Sequence, residues 1–145
     1  MVDVSTKAVG ARQATATGVF RTTPEVIELM LAGGLPKGDV LATARIAGIM
    51  AAKRTPDLIP LCHPVAITGV RVELTPATDR IDITVTVRTT DRTGVEMEAL
   101  TAVTVTGLTL HDMVKAVDPA AVLDAVRVER KEGGKTGTWV RDRGR

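Results

Sequence analysis

Two residues near the C-terminal third, Asp112 and Lys115, stand at i and i+3 and would be neighbours on a helix surface. As an exposed ion pair they would contribute little. Partly buried, Asp112 would orient Lys115, and other nearby cations could tune it for proton transfer near neutral pH. Glu96 and Glu98 follow Gly94 at a spacing of two. On extended backbone they would share one face, with Met97 opposite, and offer acceptors to a ligand's amino and ring N–H groups. In the first turn of a helix they would instead complement the positive end of its dipole.

Cys62 and His63 lie in a proline-bounded segment. A zinc site wants three or four ligands, and the chain's only other His or Cys is His111, so no metal is expected. A Cys62 nucleophile with His63 as its base is chemically conceivable, but adjacent residues of an extended segment point to opposite sides. Cys62 also reads as a small buried apolar residue. Pro64 restricts the backbone of His63 and fixes where its imidazole leaves the loop. The run Gly133-Gly134-Lys135-Thr136 invites a phosphate-loop reading, which fails because that motif requires glycine where Glu129 stands. A glycine turn flanked by Lys131 and Lys135 can still present backbone N–H groups and ammonium charge to a phosphate; the alternative is a solvated basic tail.

These groups need elements to hold them. Gln13 to Arg21 suits a first strand. Thr23-Pro24 opens a helix that Gly33-Gly34 stops. After the tight connection Leu35-Pro36-Lys37-Gly38, Asp39 can cap a second helix running to about Lys53, whose many alanines and Gly48 permit close approach to a neighbour. Pro56, Pro60 and Pro64 predict a stiff apolar loop without regular structure. Val70, Val72 and Leu74, then Ile81, Ile83, Val85 and Val87, alternate with polar residues on either side of the turn 76–80, the pattern of a hairpin with one buried face. Apolar positions recur at helical spacing from Val95 to Val117. Val126 and Val128 mark a last strand. The order β-α-α-β-β-α-β predicts a single α+β domain over 1–145, ferredoxin-like, with an antiparallel sheet and helices packed on one face.

The chain's 145 residues fit one core, and 44% are apolar, yet it holds one Phe, one Trp and no Tyr. The core must be aliphatic. Aromatic platforms for stacking bases are missing, which argues against a nucleic-acid partner. A net charge of +2 and a pI near 9.0 suit a small anionic ligand. One cysteine excludes an internal disulfide and fits a reducing cytosol; no secretory or membrane-spanning run is evident, so a cytoplasmic protein is expected.

The segments 37–40, 42–49, 51–55, 57–64 (Asp-Leu-Ile-Pro-Leu-Cys-His-Pro), 93–102 (Thr-Gly-Val-Glu-Met-Glu-Ala-Leu-Thr-Ala), 112–113 and 115–117 together closely resemble the MoaC family, the cyclic pyranopterin monophosphate synthases. The opening 1–5 and closing 133–135 match as well. The resemblance implies conversion of (8S)-3′,8-cyclo-7,8-dihydroguanosine 5′-triphosphate to cyclic pyranopterin monophosphate with release of pyrophosphate, a step of molybdenum cofactor biosynthesis needing no redox cofactor or catalytic metal. It implies Lys37 and Lys115 as acid–base lysines with Asp112 assisting Lys115. Leu61, Cys62 and His63 would line the substrate, and Glu96, Met97 and Glu98 would hold its guanine-derived ring. Arg12, Lys131 and Lys135 would meet the phosphates. It also implies a homohexamer, a trimer of dimers whose sites lie at dimer interfaces; that would unite Lys37 and Lys115, which strand order need not bring together within one chain. The sequence departs from the family at His111, where Tyr is frequent, at Val114, where Cys is frequent, and at Glu132, which replaces a common Ser and puts an anion near the expected phosphate site.

Two other classes are compatible with these elements. A ferredoxin-like ligand-sensing module explains the strands but not the acid, base and anion-binding groups at loop and helix ends. An RNA-binding module lacks its aromatics. A hydrolytic nucleotide enzyme is the nearest alternative chemistry.

Overall fold

The computed structural model describes residues 1–142; the end of the expected basic tail, 143–145, lies outside them. Strand β1 spans Gly10–Arg21, and helices α1 (Pro24–Leu31), α2 (Val40–Lys53) and the single turn α3 (Thr55–Leu58) follow. The hairpin β2 (Ile67–Pro76) and β3 (Arg80–Asp91) leads into α4 (Glu96–Val114), then β4 (Val122–Glu132) and the short β5 (Trp139–Val140). The helix starts were chemically marked: the Thr23 hydroxyl accepts from Val26 N–H, with Pro24 in the first turn, and Asp39 accepts from Ala42 N–H at 3.0 Å.

The sheet is antiparallel in the order β2-β3-β1-β4-β5. Its first four strands have the ferredoxin-like arrangement, each βαβ crossover skipping one strand. Period-two alternation sends Ala14, Ala16 and Phe20 of β1 and Ile81, Ile83, Val85 and Val87 of β3 to one buried face. Helix α4 covers β1, β3 and β4 there, and α2 lies beside it over β2. Thr15, Thr17, Thr84 and Thr86 populate the opposite face, where Thr15 and Thr86 share a hydrogen bond at 3.2 Å.

Close approach of the two long helices depends on Gly48. A Cβ there would strike the hydroxyl of Thr106, which is fully buried and has no hydrogen-bond partner among the described residues.

Four expectations need correction. The proline loop does hold a regular element, α3, because Pro56 enters at the first turn, where its missing N–H costs no bond. Helix α4 ends at Val114 rather than Val117, with Lys115 as its cap. The last strand begins earlier, at Val122, and its alternation breaks at Ala125, whose φ of 53° accompanies register shifts against β1. Beyond the glycine turn the chain does not simply trail off: Trp139 pairs with Lys131 and Val140 with Arg130, while the Arg141 guanidinium stacks over the Trp139 ring.

Candidate active site

Helix α4 carries chemistry at both ends. At its C-terminus, Asp112 projects from the last turn and Lys115 caps it. Lys115 Nζ donates to Asp112 Oδ1 at 2.8 Å, and Lys37 Nζ donates to Oδ2 of the same carboxylate at 2.7 Å. Lys37 comes from the α1–α2 connection, where the turn closed by Gly38 N–H to Leu35 carbonyl lifts it toward α4. All three side chains are half exposed. Two lysines on one carboxylate hold Asp112 well below the usual range, at about 2, with Lys115 contributing more than Lys37. The expectation that these lysines need not meet within one chain is overturned: a single subunit brings both to Asp112. A lone carboxylate would be unfavourable at a helix C-terminus, and the two cations offset that.

The N-terminal end of α4 faces two adjoining cavities. The larger, about 880 Å³, is lined by Arg12, Lys131, Gly133, Gly134 and Lys135 together with Glu96 and residues 6–10. Arg12 Nε donates to the carbonyl of Asp91 at 3.0 Å, and the glycine turn closes against the rest of its guanidinium. Gly133 has φ of 94° and a Cβ on it would strike the Ala11 carbonyl, so this turn needs glycine there, and Gly134, with φ of 77°, lies against Arg12 Nη1. Lys131 Nζ lies 3.3 Å from Glu96 Oε1. Glu132 lines this cavity too, but its carboxylate is engaged by Arg130 at 2.5 Å, which offsets the anion the sequence places here.

The smaller cavity, about 460 Å³, is lined by Leu61, Cys62, His63, Glu96, Met97 and Glu98, with Val2, Val4 and Lys7 on the other side. Because α4 begins at Glu96, the extended backbone that would put both glutamates on one face is not present. Glu96 turns toward Lys131, whereas Glu98 is only 3% exposed. Burial, and then the negative charge of Glu96, push the Glu98 carboxyl above its usual range. Burial also raises the Cys62 thiol, and the charge of Glu98 adds to it, which disfavours the thiolate a nucleophile would need. His63 reaches across the same cavity to the N-terminal segment: its Nε2 donates to the Val2 carbonyl at 2.7 Å, an oxygen that can only accept.

The residues singled out by sequence therefore form two groups. Lys37, Asp112 and Lys115 make one; Arg12, Leu61, Cys62, His63, Glu96, Met97, Glu98, Lys131 and Lys135 make the other. Sixteen residues of helix separate Glu96 from Asp112, roughly 24 Å along the axis. Among the described residues no group of three or more His, Cys, Asp or Glu is placed to hold a metal ion, and no helix is long and apolar enough to cross a membrane. Lys7, Val2 and Val4 were missed as wall residues; they sit in an irregular segment with no periodicity, where Val2 and Val4 carried one signal, the match of positions 1–5 to the family, and Lys7 carried none.

An α+β scaffold with a lysine–aspartate–lysine cluster at one end of a helix and a glycine-turned cavity lined by Arg12, Lys131 and Lys135 at the other has the groups that an enzyme of phosphorylated small molecules needs, cations for phosphate and placed acids and bases. The MoaC family pattern matches residues 1–134, and the chain belongs to that family. It is 64% identical over 141 residues to the cyclic pyranopterin monophosphate synthase 2 of Mycobacterium tuberculosis H37Rv, covering 97% of this chain and 84% of that protein. The cyclic pyranopterin monophosphate synthase of Streptomyces coelicolor is 65% identical, with 97% and 83% covered. That of Roseiflexus sp. RS-1 is 56% identical over 144 residues, with 98% and 91% covered.

Proposed function

We propose that this chain is a cyclic pyranopterin monophosphate synthase, a phosphorus–oxygen lyase of molybdenum cofactor biosynthesis acting on (8S)-3′,8-cyclo-7,8-dihydroguanosine 5′-triphosphate. The observation that carries the reading is the convergence of Lys37 and Lys115, from separate elements, on Asp112. Opening and reclosing nitrogen-bearing rings requires placed acids and bases, and Lys37 and Lys115 are the two that exchange protons with substrate while Asp112 orients them. A sugar hydroxyl then attacks the α-phosphate and expels pyrophosphate. Arg12, Lys131 and Lys135 neutralise the charge that develops there. Glu96, Met97 and Glu98 hold the guanine-derived ring against Leu61, Cys62 and His63. No metal or redox cofactor enters this scheme.

Glu96 and Asp112 stand roughly 24 Å apart along α4, a long span for one nucleoside triphosphate to bridge within a subunit. A site completed by a second copy resolves this, and the reading includes a homohexamer built as a trimer of dimers, with each site at a dimer interface. The exposed apolar residues Ile46, Met50, Leu58 and Leu108 on the helical layer give such contacts material to bury. The setting is the cytoplasm.

The test is to incubate purified protein with the cyclo-dihydroguanosine triphosphate and follow products by mass spectrometry. Cyclic pyranopterin monophosphate and pyrophosphate in equal amounts support the synthase. Binding without turnover would instead indicate a sensor, and phosphate release without the cyclic product a hydrolase.

A further inference from the structure

The first nine residues form no helix or strand, yet they wall both cavities: Val2, Val4 and Lys7 face the smaller, and Thr6 through Val9 the larger. Internal turns shape this strap, with Lys7 N–H donating to Val4 carbonyl and Ser5 N–H to Asp3 Oδ1. Its side-chain anchors to the body are His63, described above, and Arg92. One terminal nitrogen of Arg92, Nη1, donates to the Ser5 carbonyl at 3.1 Å and to the Lys7 carbonyl at 2.5 Å. A guanidinium can hold two carbonyls at once because its donors are fixed in one plane.

Arg92 itself is set by its neighbour. Asp91 Oδ1 accepts the Arg92 N–H at 2.6 Å, and Oδ2 accepts the N–H of Ala66 just beyond the proline loop at 3.3 Å. The Asp91 carbonyl receives Arg12 Nε. The corner at the end of β3 thus ties together the strap, the loop bearing His63, and the arginine of the phosphate cavity.

We infer that Arg92, oriented by Asp91, is a positioning residue that clamps the N-terminal strap so that Lys7 stands at the junction of the two cavities. This rests on the proposed synthase reading and adds a determinant of substrate affinity that touches no reacting atom. Lys7 has the placement for such a role, since it borders both cavities beside Thr93, Gly94 and Glu96. With the clamp gone, the strap keeps, among the described residues, the His63 anchor alone, and the ammonium of Lys7 samples many positions.

The experiment compares wild type, Arg92→Ala and Arg92→Lys by steady-state kinetics and by amide hydrogen exchange over residues 1–9. The expected result for Arg92→Ala is a KM raised about tenfold with kcat little changed, the magnitude expected for losing two exposed, solvent-weakened bonds, and faster exchange confined to the strap. Arg92→Lys should fall between, because its ammonium keeps the charge and donors on a shorter, more flexible arm that the Asp91 corner does not orient as a planar guanidinium. An unchanged KM despite faster strap exchange, or loss of kcat alone, would overturn the inference. So would exchange that rises throughout the sheet, which would mark a purely structural residue. Should Arg92→Ala not fold, an unaltered KM in Arg92→Lys overturns it equally. If the wild type yields no product, the synthase reading fails by itself. Inorganic triphosphate, measured by calorimetry, then decides: weaker binding to Arg92→Ala sustains the clamp, and equal binding ends it.

Discussion

Asp112 shows how much one carboxylate can organise without being buried. Its two oxygens each take one lysine, so removing either lysine leaves the other paired and the helix end intact. Lys37→Ala and Lys115→Ala should both fold with unchanged circular dichroism while turnover falls by about 10²–10⁴, the usual contribution of a placed acid or base. A rate within a few fold of wild type would remove the lysines from the chemistry. The same carboxylate gives a pH signature. Its folded value of about 2 lies below the ordinary aspartate value of 3.8, so the ionised form is favoured by folding. The stability it contributes is fully present above 3.8 and is lost as pH falls toward 2; Asp112→Asn should flatten that part of the acid unfolding curve. An identical slope in the variant would mean the pairs with lysine do not persist in solution.

Among the elements, α4 matters most because it sets the distance between the two groups and packs on nearly everything else. Its contact with α2 is tight at one point, Gly48 against Thr106. Gly48→Ala should cost about 1–3 kcal/mol in thermal or denaturant unfolding, as overpacking does. Combining it with Thr106→Ala should recover part of that loss, a coupling a double-mutant cycle reads directly. Simple additivity would show that the helices can slide apart freely. The elements that sequence disclosed well were those with local signals: the Thr23 and Asp39 caps, and the alternating hairpin of β2 and β3. What it missed was decided at long range. The β4 bulge at Ala125 answers to register against β1, and β5 exists because β4 offers an edge, not because two residues prefer strand. Glu96 and Glu98 were identified as a pair, but the starting point of α4 splits their directions. The convergence of Lys37 on Asp112 spans 75 residues of sequence, and no spacing rule reaches that far.

At the scale of the whole molecule, the two ends of α4 turn an enzyme question into an assembly question. If each site draws Lys37, Asp112 and Lys115 from one subunit and the cavity residues from its partner, two dead variants can rescue one another. Asp112→Ala mixed with Glu98→Gln and reassembled should regain about a quarter of wild-type turnover, because half the dimers pair unlike subunits and each of these holds one intact site of two. No recovery after verified subunit exchange would place each site within one chain.

The chain's only tryptophan, Trp139, sits in β5 at 40% exposure beneath Arg141, and there is no tyrosine to compete with it. Intrinsic fluorescence is therefore a narrow witness. It reports the docking of one two-residue edge strand on β4, far from the aliphatic interior whose collapse produces no optical change of its own. A melt followed at that wavelength can register an early fraying of the edge while the sheet remains whole, so emission and far-ultraviolet ellipticity need not share a midpoint.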